Sequence, residues 1–332
     1  MDSTVSVIIP TLNEEKYIRQ CIDSMFKQDY PKDLMEWIFV DGGSSDQTTK
    51  IISEYKNRFP QLIFLLDNPK KIASSAMNIG IDFARNEYII RLDAHSEYSK
   101  DYVSKCIYWI KESGADNVGG MAKTKAFTRV GRCIAKMLTC PFGVGNSQFR
   151  ISQNSGYVDT VPFGTFKKDL FEKIGLFEES LVRNEDNEIN YRIRKSGGKI
   201  FLSNDIFFTY YCRETISGIA KMAFDNGYWT VISAKKIPGS MGARHFIPLA
   251  FTLGVLGIPI AYLISSMLGK IGMGILLLYL IIDLFYSLKL TKEFYQFFVL
   301  FILFPVFHIS YGVGSLVGIF KSVKFNNKRN LK

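Results

Sequence analysis

The chain is poor in cysteine. Five residues, Cys21, Cys106, Cys133, Cys140 and Cys212, occur among 332. The count is odd and there is no Cys-x-x-Cys pair, which speaks against a disulfide framework and against a thiolate zinc site. No Gly-x-Gly-x-x-Gly follows the first strand-like run, and no Gly-x-x-x-x-Gly-Lys-Ser/Thr occurs. A dinucleotide-dependent dehydrogenase and a P-loop NTPase are therefore poor fits. A nucleotide bound here has to be held by carboxylates and a metal rather than by a glycine cradle. The formal net charge is +10, yet there is no arginine-rich arm or aromatic stacking platform, so nucleic acid is not the expected partner. No charged-then-apolar leader stands before the first run, and the large N-terminal part is expected to remain in the cytoplasm.

Apolar residues make up 47% of the sequence and the mean hydropathy is +0.07, high for a wholly soluble protein. The excess is unevenly spread. As far as Ser240, short apolar runs alternate with polar loops; from Phe246 to Phe320 the chain is nearly all Leu, Ile, Phe, Val and Gly. That shift predicts a catalytic domain over residues 1–240 and a membrane domain over 241–332. The first part reads as strands at Val5–Pro10, Glu36–Val40, Leu62–Leu66 and Tyr88–Leu92, alternating with helical spacing at Glu15–Gln28, Gln47–Phe59 and Ser74–Ala84. Such alternation predicts an α/β fold with a mostly parallel central sheet and helices on both faces. In these sheets ligands bind beyond the carboxyl ends of the strands. Three polar clusters fall there: Thr11-Leu12-Asn13-Glu14, Asp41 to Asp46, and Asp93-Ala94-His95.

Asp93 and His95 are two apart on an extended segment and point the same way. One carboxylate and one imidazole on one side suit a divalent cation, and manganese accepts an imidazole more readily than magnesium does. Asp41 is placed to accept hydrogen bonds from a base or ribose. Lys70 and Lys71, before Ser74 to Asn78, offer a point charge for a diphosphate. Asn184-Glu185-Asp186 opens a helix running to Lys195, where first-turn carboxylates stay ionised and suit a general base. Arg192 on that helix is a candidate phosphate clamp. Arg213-Glu214-Thr215 opens a further helix carrying Trp229, an aromatic able to stack on sugar or lie at a membrane surface.

Taken together these motifs resemble the family 2 glycosyltransferases, which have the GT-A nucleotide-diphospho-sugar transferase fold. Ser6 to Glu14 is similar to the family's opening strand and loop, and Phe39 to Thr48 to its second signature. Asp93-Ala94-His95 stands in the place of its Asp-x-Asp, and Glu185-Asp186 in the place of its catalytic pair. The resemblance spans about Ser3 to Lys236. It implies a nucleotide-sugar pocket lined by Pro10, Thr11, Asn13, Glu14, Asp41, Lys71, Asn78 and Asp93. It also implies a Mn2+ or Mg2+ ion at Asp93 and His95, and Asp186, with Glu185, as the base of an inverting transfer. Arg192, Arg213 and Trp229 are candidate phosphate or acceptor contacts. His95 departs from the family's usual third position, which bears on metal preference. The Gln-x-x-Arg-Trp of processive synthases is missing, so one sugar per acceptor is expected. Asp-Ala-His, the run Asn190 to Gly198 and the hydrophobic tail together resemble the succinoglycan-type exopolysaccharide glucosyltransferases. A UDP-sugar donor and a lipid-linked saccharide acceptor follow from that resemblance.

The tail offers spans over residues 246–268, 271–290 and 294–320, each long enough to cross a bilayer, and predicts a multi-pass protein of the cell membrane. Three spans would leave the basic tail, Lys321 to Lys332, on the far side, whereas the positive-inside rule draws it to the cytoplasm. Two other readings compete: transfer of sugar directly to a polyprenyl phosphate, and a non-catalytic nucleotide-sugar-binding membrane protein.

Overall fold

The computed structural model describes residues 3–329. Of the basic tail, Lys332 lies outside the described residues, as do the side chains of Lys324, Lys328 and Arg329. The strands are β1 Val5–Thr11, β2 Met35–Asp41, β3 Ile63–Asp67, β4 Tyr88–Arg91, β5 Ser96–Tyr98, β6 Asn117–Lys125, β7 Gly156–Tyr157, β8 Thr165–Lys167 and β9 Ile200–Tyr211. The helices are α1 Ile18–Phe26, α2 Thr48–Arg58, α3 Ala73–Phe83, α4 Tyr102–Ser113, α5 Arg129–Met137, α6 Pro141–Val144, α7 Gln148–Ile151, α8 Leu170–Ile174, α9 Glu185–Lys195, α10 Ile216–Lys236, α11 Ile247–Ile264, α12 Ser266–Leu290 and α13 Phe294–Arg329.

Compactness divides the chain into one unit of Met1–Lys123 with Gln148–Tyr211, and a second of Thr124–Ser147 with Cys212–Lys332. This division differs from the composition boundary at Ser240. The segment carrying α5 and α6, and all of α10, belong with the apolar helices.

In the first unit the described strands form one sheet in the order β3-β2-β1-β4-β8-β6-β9-β5, with β7 pairing β9. The first four are parallel. Beyond β4 the pairings of β8 with β4 and β6, and of β9 with β5 and β7, are antiparallel, so the sheet is mixed, its parallel half lying where the strand–helix alternation predicts. β1 shows why its run is apolar but for Ser6, whose hydroxyl donates to Glu36 Oε1 at 2.6 Å: Val5, Val7 and Ile9 enter the core on one face with Trp37 and Phe39. Ile8 enters the core on the other with Ile38, Val40 and Met77. A strand buried on both faces needs no polar alternation. α1 is shorter than the run from Glu15 suggested, because Glu14 to Tyr17 form a turn that leads into it.

In the second unit three helices are long and apolar enough to cross a membrane: Ala243–Ile264, Ser266–Leu290 and Phe294–Ser322. Only 11% of the middle one is buried, so its apolar side chains face outward nearly all round, as lipid requires and water forbids. These three helices suggest membrane association. α10 and α13 cross at backbone contact. A Cβ on Gly227 would stand 1.9 Å from the carbonyl oxygen of Tyr311, and one on Gly314 would stand 2.0 Å from that of Phe224. The hydroxyls of Thr230 and Tyr311 are 2.7 Å apart, and Ser315 Oγ donates to the carbonyl of Gly227 at 3.2 Å. Small residues that let helix backbones meet, with hydroxyls bonding across, are the usual means of association in lipid.

Gly227→Ala should therefore lower stability by about 1–3 kcal/mol, the usual cost of overpacking a contact that cannot yield. The check is the thermal unfolding midpoint of purified protein in detergent. An unchanged midpoint would mean that the α10–α13 crossing is looser than described.

Candidate active site

The parallel register aligns the strand ends. Thr11 pairs with Asp41, and Asp41 with Asp67. On the other side of β1, Ile8 pairs with Arg91, which carries Asp93 to the same edge. The loops after β1 and β2 are stitched together by short polar side chains. The amide of Asn13 donates to Ser44 Oγ at 2.8 Å, and the amide of Ser45 to Asn13 Oδ1 at 2.9 Å. The amide of Glu14 donates to Thr48 Oγ1 at 2.7 Å. Asp41, 4% exposed, accepts from the amides of Gly43 and Ser44 at 2.8 Å each and from the Ser44 hydroxyl at 2.5 Å. Its carboxylate is thus held by its own turn and presented at the strand end. Thr11 is buried beside it, and its hydroxyl has no hydrogen-bond partner among the described residues. The start of α2 is capped by Asp46, whose Oδ1 accepts from the amide and hydroxyl of Thr48.

At the end of β4, His95 Nδ1 lies 2.9 Å from Asp93 Oδ1 and 3.1 Å from Glu14 Oε1. One ligand atom from each of the three lies within 4.8 Å of the others. The sequence expectation paired Asp93 with His95 and gave Glu14 to the nucleotide pocket; the fold also sets Glu14 beside the imidazole. Two carboxylates and an imidazole form a donor set that suits Mn2+ better than Mg2+. Without a cation, burial would lower the pKa of His95, but Asp93 and then Glu14 push it up to about 11. Burial likewise works against ionised Asp93, and the imidazolium and Arg91 outweigh it, holding that carboxyl below its ordinary range.

Glu185 and Asp186 open α9 as the sequence predicted, after Asn184 in the left-handed region at φ 67°. What the sequence reading missed is their partner. Arg91, the last residue of β4, donates from one guanidinium nitrogen to Asp186 Oδ1 at 2.6 Å and from the other to Glu185 Oε1 at 2.8 Å. The signal was an arginine inside an otherwise apolar run, Tyr88-Ile89-Ile90-Arg91-Leu92. The pairing raises the pKa of Arg91. Asp186 is also raised, because burial dominates and one guanidinium is set against three carboxylates, Asp186 itself, Glu185 and Asp93.

Four non-glycine residues among those described have left-handed backbones: Asn13, Lys71, Phe163 and Asn184. All four sit in loops at this edge, and strain of that kind gathers at functional sites. Lys71 is one of them; its Nζ would lie 3.6 Å from a Cβ on Gly43, so it reaches the Asp41 turn. Other expected contacts are spent elsewhere. Asn78 donates to Phe177 O and Glu179 Oε1 and accepts from the Phe177 amide. Arg192 is consumed by the carbonyls of Ile174, Gly175 and Leu176 and by Glu188. Both hold the loop after α8 and have little left for a ligand. Pro10, half-buried, ends the apolar run of β1. Arg213 and Trp229 belong to the second unit.

Comparison with known proteins agrees with this geometry. The model for glycosyl transferase family 2 matches residues 6–173, just over half the chain. The succinoglycan biosynthesis protein ExoA of Rhizobium meliloti is 29% identical over 246 residues, 74% of this chain and 74% of its own. A dolichyl N-acetyl-alpha-D-glucosaminyl phosphate 3-beta-D-2,3-diacetamido-2,3-dideoxy-beta-D-glucuronosyltransferase of Methanococcus voltae is 29% identical over 267 residues, 78% of this chain and 82% of its own. Among solved structures, the mannosyltransferase PcManGT from Pyrobaculum calidifontis, in complex with GDP-Man and Mn2+, superposes with a TM-score of 0.64. That match is at 18% identity and covers 95% of this chain and 88% of that one. The fold is GT-A, followed by apolar helices that fit an anchor. The chain belongs to glycosyl transferase family 2 and is a glycosyltransferase.

Proposed function

We propose that the chain is an inverting, metal-dependent glycosyltransferase. It moves one sugar from a nucleotide-diphosphate donor, foremost a UDP-sugar, to a saccharide carried on a membrane lipid, in exopolysaccharide or cell-surface glycan synthesis. The observation that carries this reading is that a triad able to hold a cation and an arginine-held, half-buried carboxylate pair stand at one end of β4. The names of the succinoglycan and dolichyl-linked relatives support the acceptor class. The fold of a mannosyltransferase solved with a nucleotide sugar and Mn2+ supports the donor class.

In this reading Pro10, Thr11, Asn13 and Asp41 line the nucleoside pocket. Asp41, presented at the strand end by its own turn, accepts from the edge of the base. Asp93, His95 and Glu14 would hold Mn2+ or Mg2+, and Lys71 would add a point charge toward the diphosphate. The cation, when bound, supplies charge stabilisation for the departing diphosphate. Asp186 takes the proton of the acceptor hydroxyl, which attacks the anomeric carbon from the opposite face, and no covalent sugar–enzyme bond forms. The work of the protein is positioning and charge stabilisation. The apolar helices make the chain multi-pass with the catalytic unit on the cytoplasmic side. They would hold the chain at the membrane that carries the acceptor, and Arg213 and Trp229 are candidate contacts to that acceptor.

Asp93→Ala should abolish cation-dependent donor binding, measured by calorimetry with Mn2+ and with EDTA. His95→Ala should weaken Mn2+ binding by at least roughly tenfold, since even outer-shell partners are worth about 10–100-fold in metal affinity. Unchanged binding in both variants would remove the triad from the site.

Asp186→Asn should keep donor binding and lower kcat by roughly 100- to 10,000-fold, the usual worth of a general base. The base works ionised and its pKa is raised, so kcat/KM of the wild type should fall as pH drops, along a limb above the ordinary aspartate range. Wild-type turnover by Asp186→Asn would point instead to a phosphate acceptor, which needs no base.

A further inference from the structure

Arginine is seldom buried unless paired. Arg91 is 7% exposed at the end of a strand whose other residues are Tyr88, Ile89 and Ile90. Each terminal nitrogen of its guanidinium serves a different carboxylate, Asp186 Oδ1 at 2.6 Å and Glu185 Oε1 at 2.8 Å. The guanidinium carbon stands 5.6 Å from the centre of the Phe163 ring. That ring is held in turn by an edge contact to Phe208, with centroids 4.9 Å apart, on a left-handed backbone at φ 50°. The amide of Arg91 donates to Gly164 O at 3.0 Å. The loop that supports the ring therefore also supports the strand. Nε of Arg91 has no hydrogen-bond partner among the described residues, so the two carboxylates and the ring set the plane of the guanidinium. Only Oδ1 of Asp186 lies in the fork, and the side chain is 25% exposed.

We propose that Arg91 is a positioning residue: it fixes Glu185 and Asp186 against the strand that leads into Asp93, and leaves the second oxygen of Asp186 facing the acceptor hydroxyl. The proposal rests on the reading of Asp186 as the base. One residue, Leu92, separates Arg91 from Asp93, so one strand end sets the cation ligand directly and the base through the Arg91 ion pair. A lysine keeps the charge but cannot reproduce a planar fork between two carboxylates.

The experiment compares full-length wild type, Arg91→Met, Arg91→Lys, Asp186→Asn and the double variant Arg91→Met/Asp186→Asn in membranes. Binding is read with UDP and Mn2+ as the probe, and kcat with the donor that the wild type turns over from a panel of UDP- and GDP-sugars. Arg91→Met should bind UDP with Mn2+ as the wild type does and lose about a hundredfold in kcat, the scale of a misplacement near 1 Å. Arg91→Lys should recover part of that loss. Adding Arg91→Met to Asp186→Asn should cost nothing further, because residues acting as a unit are non-additive. Full kcat in Arg91→Met, or multiplied losses in the double variant, would overturn the proposal while leaving Asp186 as the base. Loss of UDP binding together with kcat in both arginine variants would make Arg91 a folding residue and overturn it too. Should Arg91→Met fail to fold, Arg91→Lys decides: reduced kcat with intact UDP binding supports the clamp, and unchanged kcat overturns it. Wild-type kcat in Asp186→Asn would overturn the base assignment itself, and the clamp with it.

Discussion

The register that sets Thr11 beside Asp41 and Asp41 beside Asp67 is the constraint on which the rest of the site depends. A slip of one residue would turn each strand's side chains to the opposite face. Here both faces of β1 and β2 are packed with different residues, which specifies the register strongly. The polar loops inherit their places from that packing. Once the strand ends are level, Asn13, Ser44, Glu14 and Thr48 are within hydrogen-bonding reach, and the loops need no long-range order of their own.

On this frame the site solves a problem of buried charge. Glu14, Asp93, Glu185 and Asp186 bring four carboxylates to one edge. Arg91 and His95 are set among them: His95 meets Asp93 and Glu14, and Arg91 meets Glu185 and Asp186. Removing one partner from a buried pair leaves an uncompensated charge, which costs far more than the pair itself contributes. A cation joining Asp93, His95 and Glu14 fits this balance in place of a proton on the imidazole.

Much of this was legible before the fold was seen, for a physical reason. Strands buried on both faces read as unbroken apolar runs, and the polar residues that end them mark the ligand edge, so Thr11, Asp41, Asp93 and the helix start at Glu185 could all be placed. Arg91 was not placed, because within such a run a single arginine reads as a boundary residue, and its partners lie more than ninety positions away. The contact of Glu14 with His95 was not read for a similar reason: it depends on the alignment of β1 with β4. Asn78 and Arg192 carry polar groups suited to a ligand, yet loops that the sequence does not pair consume them. The antiparallel half was hidden too, since β6 and β8 carry Gly, Thr and Lys rather than a clear apolar run. The composition shift at Ser240 marks where long apolar helices begin. It gives no sign that α5 and α6 group with them, since those short helices owe their partners to tertiary packing.

The measurement that tests the central claim most directly is release of nucleoside diphosphate from a panel of UDP- and GDP-sugars. Purified protein in membranes would be assayed with Mn2+, with Mg2+ and with EDTA, in the presence and absence of a bacterial lipid extract. The account predicts turnover of one donor that needs the cation and rises with lipid. Turnover of that donor undiminished in EDTA, or no turnover of any donor by folded protein supplied with lipid, would contradict it.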